Sequence, residues 1–106
     1  MLHEPVPDTV AWMTSEILQV PPAIASAILV DQTLRDYRDF LPQIEVPALV
    51  LFGEDDKLTS PRAGQYIAGA IPGARLQTFP NSSHCPFWEE AGAFNHAVES
   101  FLDDLR

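Results

Sequence analysis

The 106-residue chain is 46% hydrophobic and 20% charged, too apolar for disorder and too short for more than one domain. Fifteen acidic against six scattered basic residues give a net charge of −9 and a pI near 4.4, which argues against nucleic acid or an anionic membrane as a partner. The longest apolar run, Ala23 to Val30, is far too short to span a bilayer.

A single cysteine, Cys85, excludes an internal disulfide and suits a reducing, cytoplasmic compartment. The opening Met1-Leu2-His3-Glu4-Pro5 has neither the basic nor the apolar region of a signal peptide.

Residues 1–45 read as short helices joined by prolines. Asp8 is placed to cap a helix running to about Gln19, with Val10, Met13 and Ile17 on one face. Pro21-Pro22 stops it and starts a second, Ala23 to Val30, which is apolar nearly all round and calls for cover on more than one side. A third helix is predicted from about Thr33 to Leu41, ended by Pro42. Residues 46–106 are more regular. The run Val46 to Gly53 is apolar throughout and predicts a strand buried on both faces. Ser60-Pro61 opens a helix whose buried stripe is Tyr66, Ile67, Ala70 and Ile71, and Pro72-Gly73 closes it. A second strand, Ala74 to Phe79, follows. The last helix, from about Glu90 to Leu105, aligns Phe94, Val98, Phe101, Leu102 and Leu105, with Glu89 and Glu90 at its positive end.

Strand–helix–strand is the unit of a parallel sheet, so both strands finish at the same edge. Neighbouring strands lie about 4.8 Å apart, so a carboxylate just past one (Asp55 or Asp56) and the imidazole just past the next (His84) can meet. Open parallel sheets bind their ligands at that edge. A carboxylate orienting an imidazole is the acid–base half of a nucleophilic triad. Spacing alone leaves open that Asp55 and Asp56 are turn residues and His84 a surface loop residue.

The ordered set Asp36-Tyr37-Arg38-Asp39, Val46-Pro47, Leu49-Val50-Leu51, Gly53-Glu54-Asp55-Asp56, Ile71-Pro72-Gly73-Ala74, Ser83-His84-Cys85-Pro86-Phe87 and Phe94-Asn95 resembles the C-terminal part of the α/β-hydrolase superfamily. The likeness is strongest to its small esterase and cofactor-free haloperoxidase-like members. It covers residues 33–106, and residues 5–32 resemble the helical lid that precedes the acid-bearing strand. The resemblance implies an α/β fold: two parallel strands with flanking helices over 46–106, preceded by a lid-like helical segment over 1–45. It implies Asp56 as the triad acid, being the last residue of Gly-x-x-Asp, with Asp55 the near alternative, and His84 as the base. No cofactor is implied. A metal site from His3, His84, Cys85 and His96 has no recognised ligand spacing.

Three departures stand out. Ser83 occupies the place of a usual glycine, and Ala91 that of a usual proline. The nucleophile elbow Gly-x-Ser-x-Gly is absent, since the five glycines never bracket a serine. Cys85, Ser82 and Ser83 are too close to His84 in sequence to serve readily in its place, and the aromatics Trp12, Phe87 and Trp88 suit either an acyl pocket or a core. The expectation is therefore a C-terminal hydrolase portion that supplies acid and base for cleaving a small ester-like substrate. Alone it should be inactive, and it should pair with itself or with a complementing N-terminal part. A non-catalytic interaction module derived from a hydrolase is the alternative.

Overall fold

A computed structural model describes residues 2–106. The chain divides into two compact units, residues 5–37 and residues 38–106, the latter joined by the short stretch ending at Glu4.

In the first unit, α1 (Pro7–Ile17) and α2 (Pro22–Leu34) meet at a bend of 95°. Pro7 and Pro22 open their helices, where a missing N–H costs nothing, and Pro21-Pro22 enforces the break. Val6, not Asp8, is the N-cap of α1; Asp8 falls in the first turn, where its charge still suits the helix dipole. The third helix predicted over 33–41 does not form. Thr33 and Leu34 instead finish α2, Arg35 is extended, and Leu41–Gln43 make a 3-10 turn. So short a stretch closed by a proline cannot repay helix nucleation by itself. Ile24, Ile28, Leu29 and Val30 of the apolar α2 are all more than half exposed. Among the described residues, no single helix is long and apolar enough to cross a membrane.

In the second unit, β1 (Leu49–Gly53) pairs in parallel with β2 (Arg75–Phe79), Leu49 opposite Arg75 and Gly53 opposite Phe79. β1 begins later than the sequence suggested because Pro47 cannot donate to a ladder. The crossover is α3 (Pro61–Ala70), capped by the Ser60 hydroxyl, which accepts from the Arg62 N–H at 3.3 Å. After α3, Gly73 takes φ +71°, a conformation that suits glycine, and returns the chain to β2. Strand alternation sends Phe52 and Phe79 to opposite faces. α3 lies on the Phe52 face, where Gly64 backs so closely on the ring that a Cβ would sit 2.6 Å from it. α5 (Ala91–Asp104) lies on the other, with the Phe94 and Phe79 rings 5.9 Å apart. The last helix, α5, begins at Ala91, close to the expected Glu90, and the short α4 (Pro86–Glu89), which the sequence did not suggest, sits between it and β2.

Two strands with a helix on each face are a partial α/β fold. β1 has a neighbour on one edge only, so Leu49 to Phe52, expected to be fully buried, are only partly buried. Tyr66, assigned to a buried stripe, is exposed, as are Leu102 and Leu105 of the apolar face of the last helix. Apart from Ile71 at the end of α3, the buried side chains of this unit cluster at and past the carboxyl ends of the strands, where Asp56, Phe79, Ser82, Ser83 and Cys85 lie.

Candidate functional site

Gly53 sets how closely the two strand ends approach. A Cβ at this position would lie 1.9 Å from the Ser83 carbonyl oxygen and 2.4 Å from that of Ser82. Without one, the loop after β2 lies against the end of β1 and the two are laced together. The Glu54 N–H donates to the Phe79 carbonyl at 2.9 Å and the Asp55 N–H to the Ser82 carbonyl at 3.0 Å.

This brings Asp56 and His84 into contact. Asp56 Oδ1 accepts from the N–H groups of Leu58 and Thr59, both at 2.9 Å, and Oδ2 lies 3.0 Å from His84 Nδ1. Burial pushes the Asp56 carboxyl up, but hydrogen bonds from Thr59, His84 and Leu58 outweigh it and hold the group below the usual carboxylate range. An ionised carboxylate only accepts, so His84 Nδ1 carries the hydrogen in this pair. The Asp56 side chain is 4% exposed and that of His84 40%. The edge of the ring facing Asp56 is therefore shielded, and the Nε2 edge is the accessible one.

Asp55, the near alternative, turns elsewhere. Its Oδ2 lies 2.8 Å from His3 Nδ1 and its Oδ1 3.8 Å from Lys57 Nζ. The hydrogen bond to His3 is the main cause that lowers its pKa.

The loop bearing His84 is held by two glutamates. Glu89 Oε1 accepts from the Ser83 N–H at 3.0 Å, and Glu89 Oε2 from the His3 N–H at 2.6 Å. Glu90 Oε2 accepts from the Asn81 N–H at 3.1 Å and from the Ser82 hydroxyl at 2.5 Å. Sequence reasoning assigned both glutamates to the dipole of the last helix and missed these roles. The available signal was a serine pair six to eight residues ahead of two acids, across a turn opened by Pro86.

The local alternatives for a nucleophile are poorly placed. Burial, then the Glu89 charge, pushes the Cys85 thiol up, away from the reactive thiolate. The Ser82 hydroxyl is committed to Glu90, and Ser83 is 2% exposed. Phe87 and Trp88 are about half exposed, with Phe87 edge-on to Phe94 at 6.2 Å. His96 is exposed on α5, beside a groove of about 410 Å³ lined by Arg75, Gln77, Phe79 and Phe101 on the Phe79 face of the sheet. Among the described residues, no three His, Cys, Asp or Glu side chains converge as a metal site.

The depressed carboxylates make stability pH-dependent with a definite sign. A group whose pKa is lower folded than unfolded stabilises the fold above its unfolded value, and that contribution is lost as pH falls through the folded one. Unfolded aspartate titrates near about 3.9. Melting should therefore be level near neutrality and fall on acidification below about pH 4. Thermal melts of Asp56→Asn should show a shallower acid slope; an unchanged slope would remove Asp56 from this account.

A family model for the alpha/beta hydrolase fold matches residues 17–91. The chain belongs to the α/β-hydrolase family. It is 37% identical over 70 residues to the pimeloyl-[acyl-carrier protein] methyl ester esterase of Neisseria meningitidis, an alignment covering 66% of this chain and 22% of that protein. Among solved structures, the enol-lactonase from Burkholderia xenovorans superposes with a TM-score of 0.63 at 40% identity, covering 66% of this chain and 26% of that one. An esterase from Exiguobacterium antarcticum superposes with a TM-score of 0.79 at 27% identity, covering 96% of this chain and 38% of that one. The chain spans about a quarter of the length of the curated relatives it matches.

Proposed function

We propose that this α/β-hydrolase chain supplies the acid, Asp56, and the general base, His84, of a triad that cleaves an ester or related carbonyl substrate. The nucleophile lies outside these 106 residues. The observation that carries this reading is the pinned imidazole: Nδ1 lies 3.0 Å from a buried carboxylate while the His84 side chain is 40% exposed. In such a triad Nε2 takes the proton from a serine hydroxyl as its oxygen attacks the carbonyl. It then passes that proton to the departing alkoxide, leaving an acyl-enzyme that water hydrolyses by the same route. Asp56 stays ionised throughout and stabilises the imidazolium. The names of the relatives, an esterase and an enol-lactonase, support acyl chemistry at carbon–oxygen bonds.

The same reading gives the unpaired edge of β1 a purpose. An apolar parallel strand with one free edge pairs readily with another strand, and an N-terminal hydrolase portion carrying Gly-x-Ser-x-Gly is the proposed occupant.

Two proteins test this: the chain alone, and a chimaera in which it replaces the matching C-terminal quarter of the Neisseria esterase. The chain alone should hydrolyse an activated short-chain ester no faster than its His84→Ala variant, whereas the chimaera should be active. Hydrolysis by the chain alone that is abolished by Cys85→Ser, or a cooperatively melting chimaera without activity, would each overturn the proposal.

A further inference from the structure

Five residues, His3, Asp55, Ser82, Ser83 and Glu89, close a hydrogen-bonded ring beside the acid–base pair. The His3 ring meets the Asp55 carboxylate at 2.8 Å, and the Asp55 N–H donates to the Ser82 carbonyl at 3.0 Å. The next residue, Ser83, donates its N–H to Glu89 Oε1 at 3.0 Å, and Glu89 Oε2 accepts from the His3 N–H at 2.6 Å. The corners on the two loops lie within two residues of the pair: Asp55 precedes Asp56, and Ser82-Ser83 precedes His84. His3 contacts the acid loop through its ring and the clamp of the base loop through its backbone.

We propose that His3 is a positioning residue, which sets the distance between the Asp56 and His84 loops by clasping Asp55 and Glu89 together. This rests on the acid–base reading above. The physical case is that Gly53 permits the loops to approach but does not hold them. The Asp55–Ser82 bond lies on one side of the contact only. Charge-assisted bonds from His3 to two carboxylates, which tie Asp55 to the α4 end of the base loop, fix the remaining freedom. Without them, Asp56 Oδ2 and His84 Nδ1 can separate while both strands stay folded. The His3 ring bonds to Asp55, the neighbour of the acid, so its influence runs through the loops.

The test is proton NMR of the 106-residue chain, reading the downfield Nδ1–H resonance of His84, assigned by its disappearance in His84→Gln. His3→Ala should lose or strongly broaden that resonance with the cooperative melt retained. His3→Asn should keep it, because the asparagine amide nitrogen sits where Nδ1 sits and donates to Asp55 in the same way. A resonance unchanged in His3→Ala overturns the clasp, as does its loss in both variants. Should His3→Ala unfold, a folded His3→Asn with the resonance intact supports the clasp, and an unfolded one overturns it. Asp56→Asn separates the two readings. If it leaves the resonance in place, the acid–base pair itself is wrong; if it removes the resonance while His3→Ala does not, only the clasp fails.

Discussion

Gly53→Ala should be the most damaging single methyl addition in the chain, lowering stability by about 3 kcal/mol, toward the upper end of overpacking costs. The atoms a Cβ would strike, the carbonyl oxygens of Ser83 and Ser82, are backbone, so no rotamer change relieves the contact. The two strand ends must move apart instead, which breaks the Asp55–Ser82 hydrogen bond and draws His84 from Asp56. The effect is steric and not conformational, because Gly53 does not use a positive φ. Two other glycines supply the control. A Cβ on Gly69 in α3 or Gly92 in α5 meets nothing within 4 Å. Gly→Ala at those positions should be neutral or raise stability by about 0.5–1 kcal/mol through helix propensity. Thermal melts of the three variants read the contrast directly, since about 1 kcal/mol moves the midpoint of a domain this size by about 4–8 °C. If Gly53→Ala melts with the other two, the approach of the two strand ends does not depend on the missing Cβ at Gly53.

The strand–helix–strand unit was legible because each local signal agreed with the others. Ser60-Pro61 caps the helix, Gly73 turns the chain, and β1 is an apolar run between polar loops. The meeting of Asp56 with His84 was legible for a topological reason: a parallel crossover delivers both strand ends to one edge. Beyond that, family resemblance favoured Asp56 over Asp55, and the geometry supplies the reason for their different partners. Asp56 folds back to collect two backbone N–H groups and turns its other oxygen to the imidazole, while Asp55 faces His3. Nothing local announces the His3 contacts, which join residues 52 and 86 positions apart and arise from tertiary approach alone. The glutamates were misread for a related reason. A helix dipole offers a carboxylate a modest gain, whereas an otherwise unpaired buried N–H or hydroxyl offers a larger one. Burial of the Ser82–Ser83 turn decides between them, and burial is not visible in a string of letters. The exposure of β1 and of α2 was hidden similarly: both segments are apolar enough for a core that two strands and their helices do not build.

Asp56→Asn should cost the active chimaera about 10⁴-fold in kcat, comparable to the loss on removing the orienting aspartate from a serine protease triad. Asparagine is nearly the same size, so the reason must be chemical, and the hydrogen bonds around Asp56 specify it. Its Oδ1 accepts from both Leu58 and Thr59, and a carboxamide nitrogen cannot accept. The substituted side chain must therefore keep its oxygen at that position and turn its NH₂ toward His84. Facing a donor, Nδ1 becomes the acceptor and the ring proton moves to Nε2. The nitrogen that should take the serine proton then already carries one. The Asp56 side chain is only 4% exposed, so KM should change little while kcat falls, which marks loss of an interaction made in the transition state. His84→Ala should be at least as severe, since it removes the base outright. Asp55→Asn should be milder than either, because that carboxylate faces His3. A rate within about tenfold of the parent for Asp56→Asn, with the fold intact by melting, would mean that orientation of His84 does not depend on this carboxylate, and Asp56 would lose its place in the proposed triad.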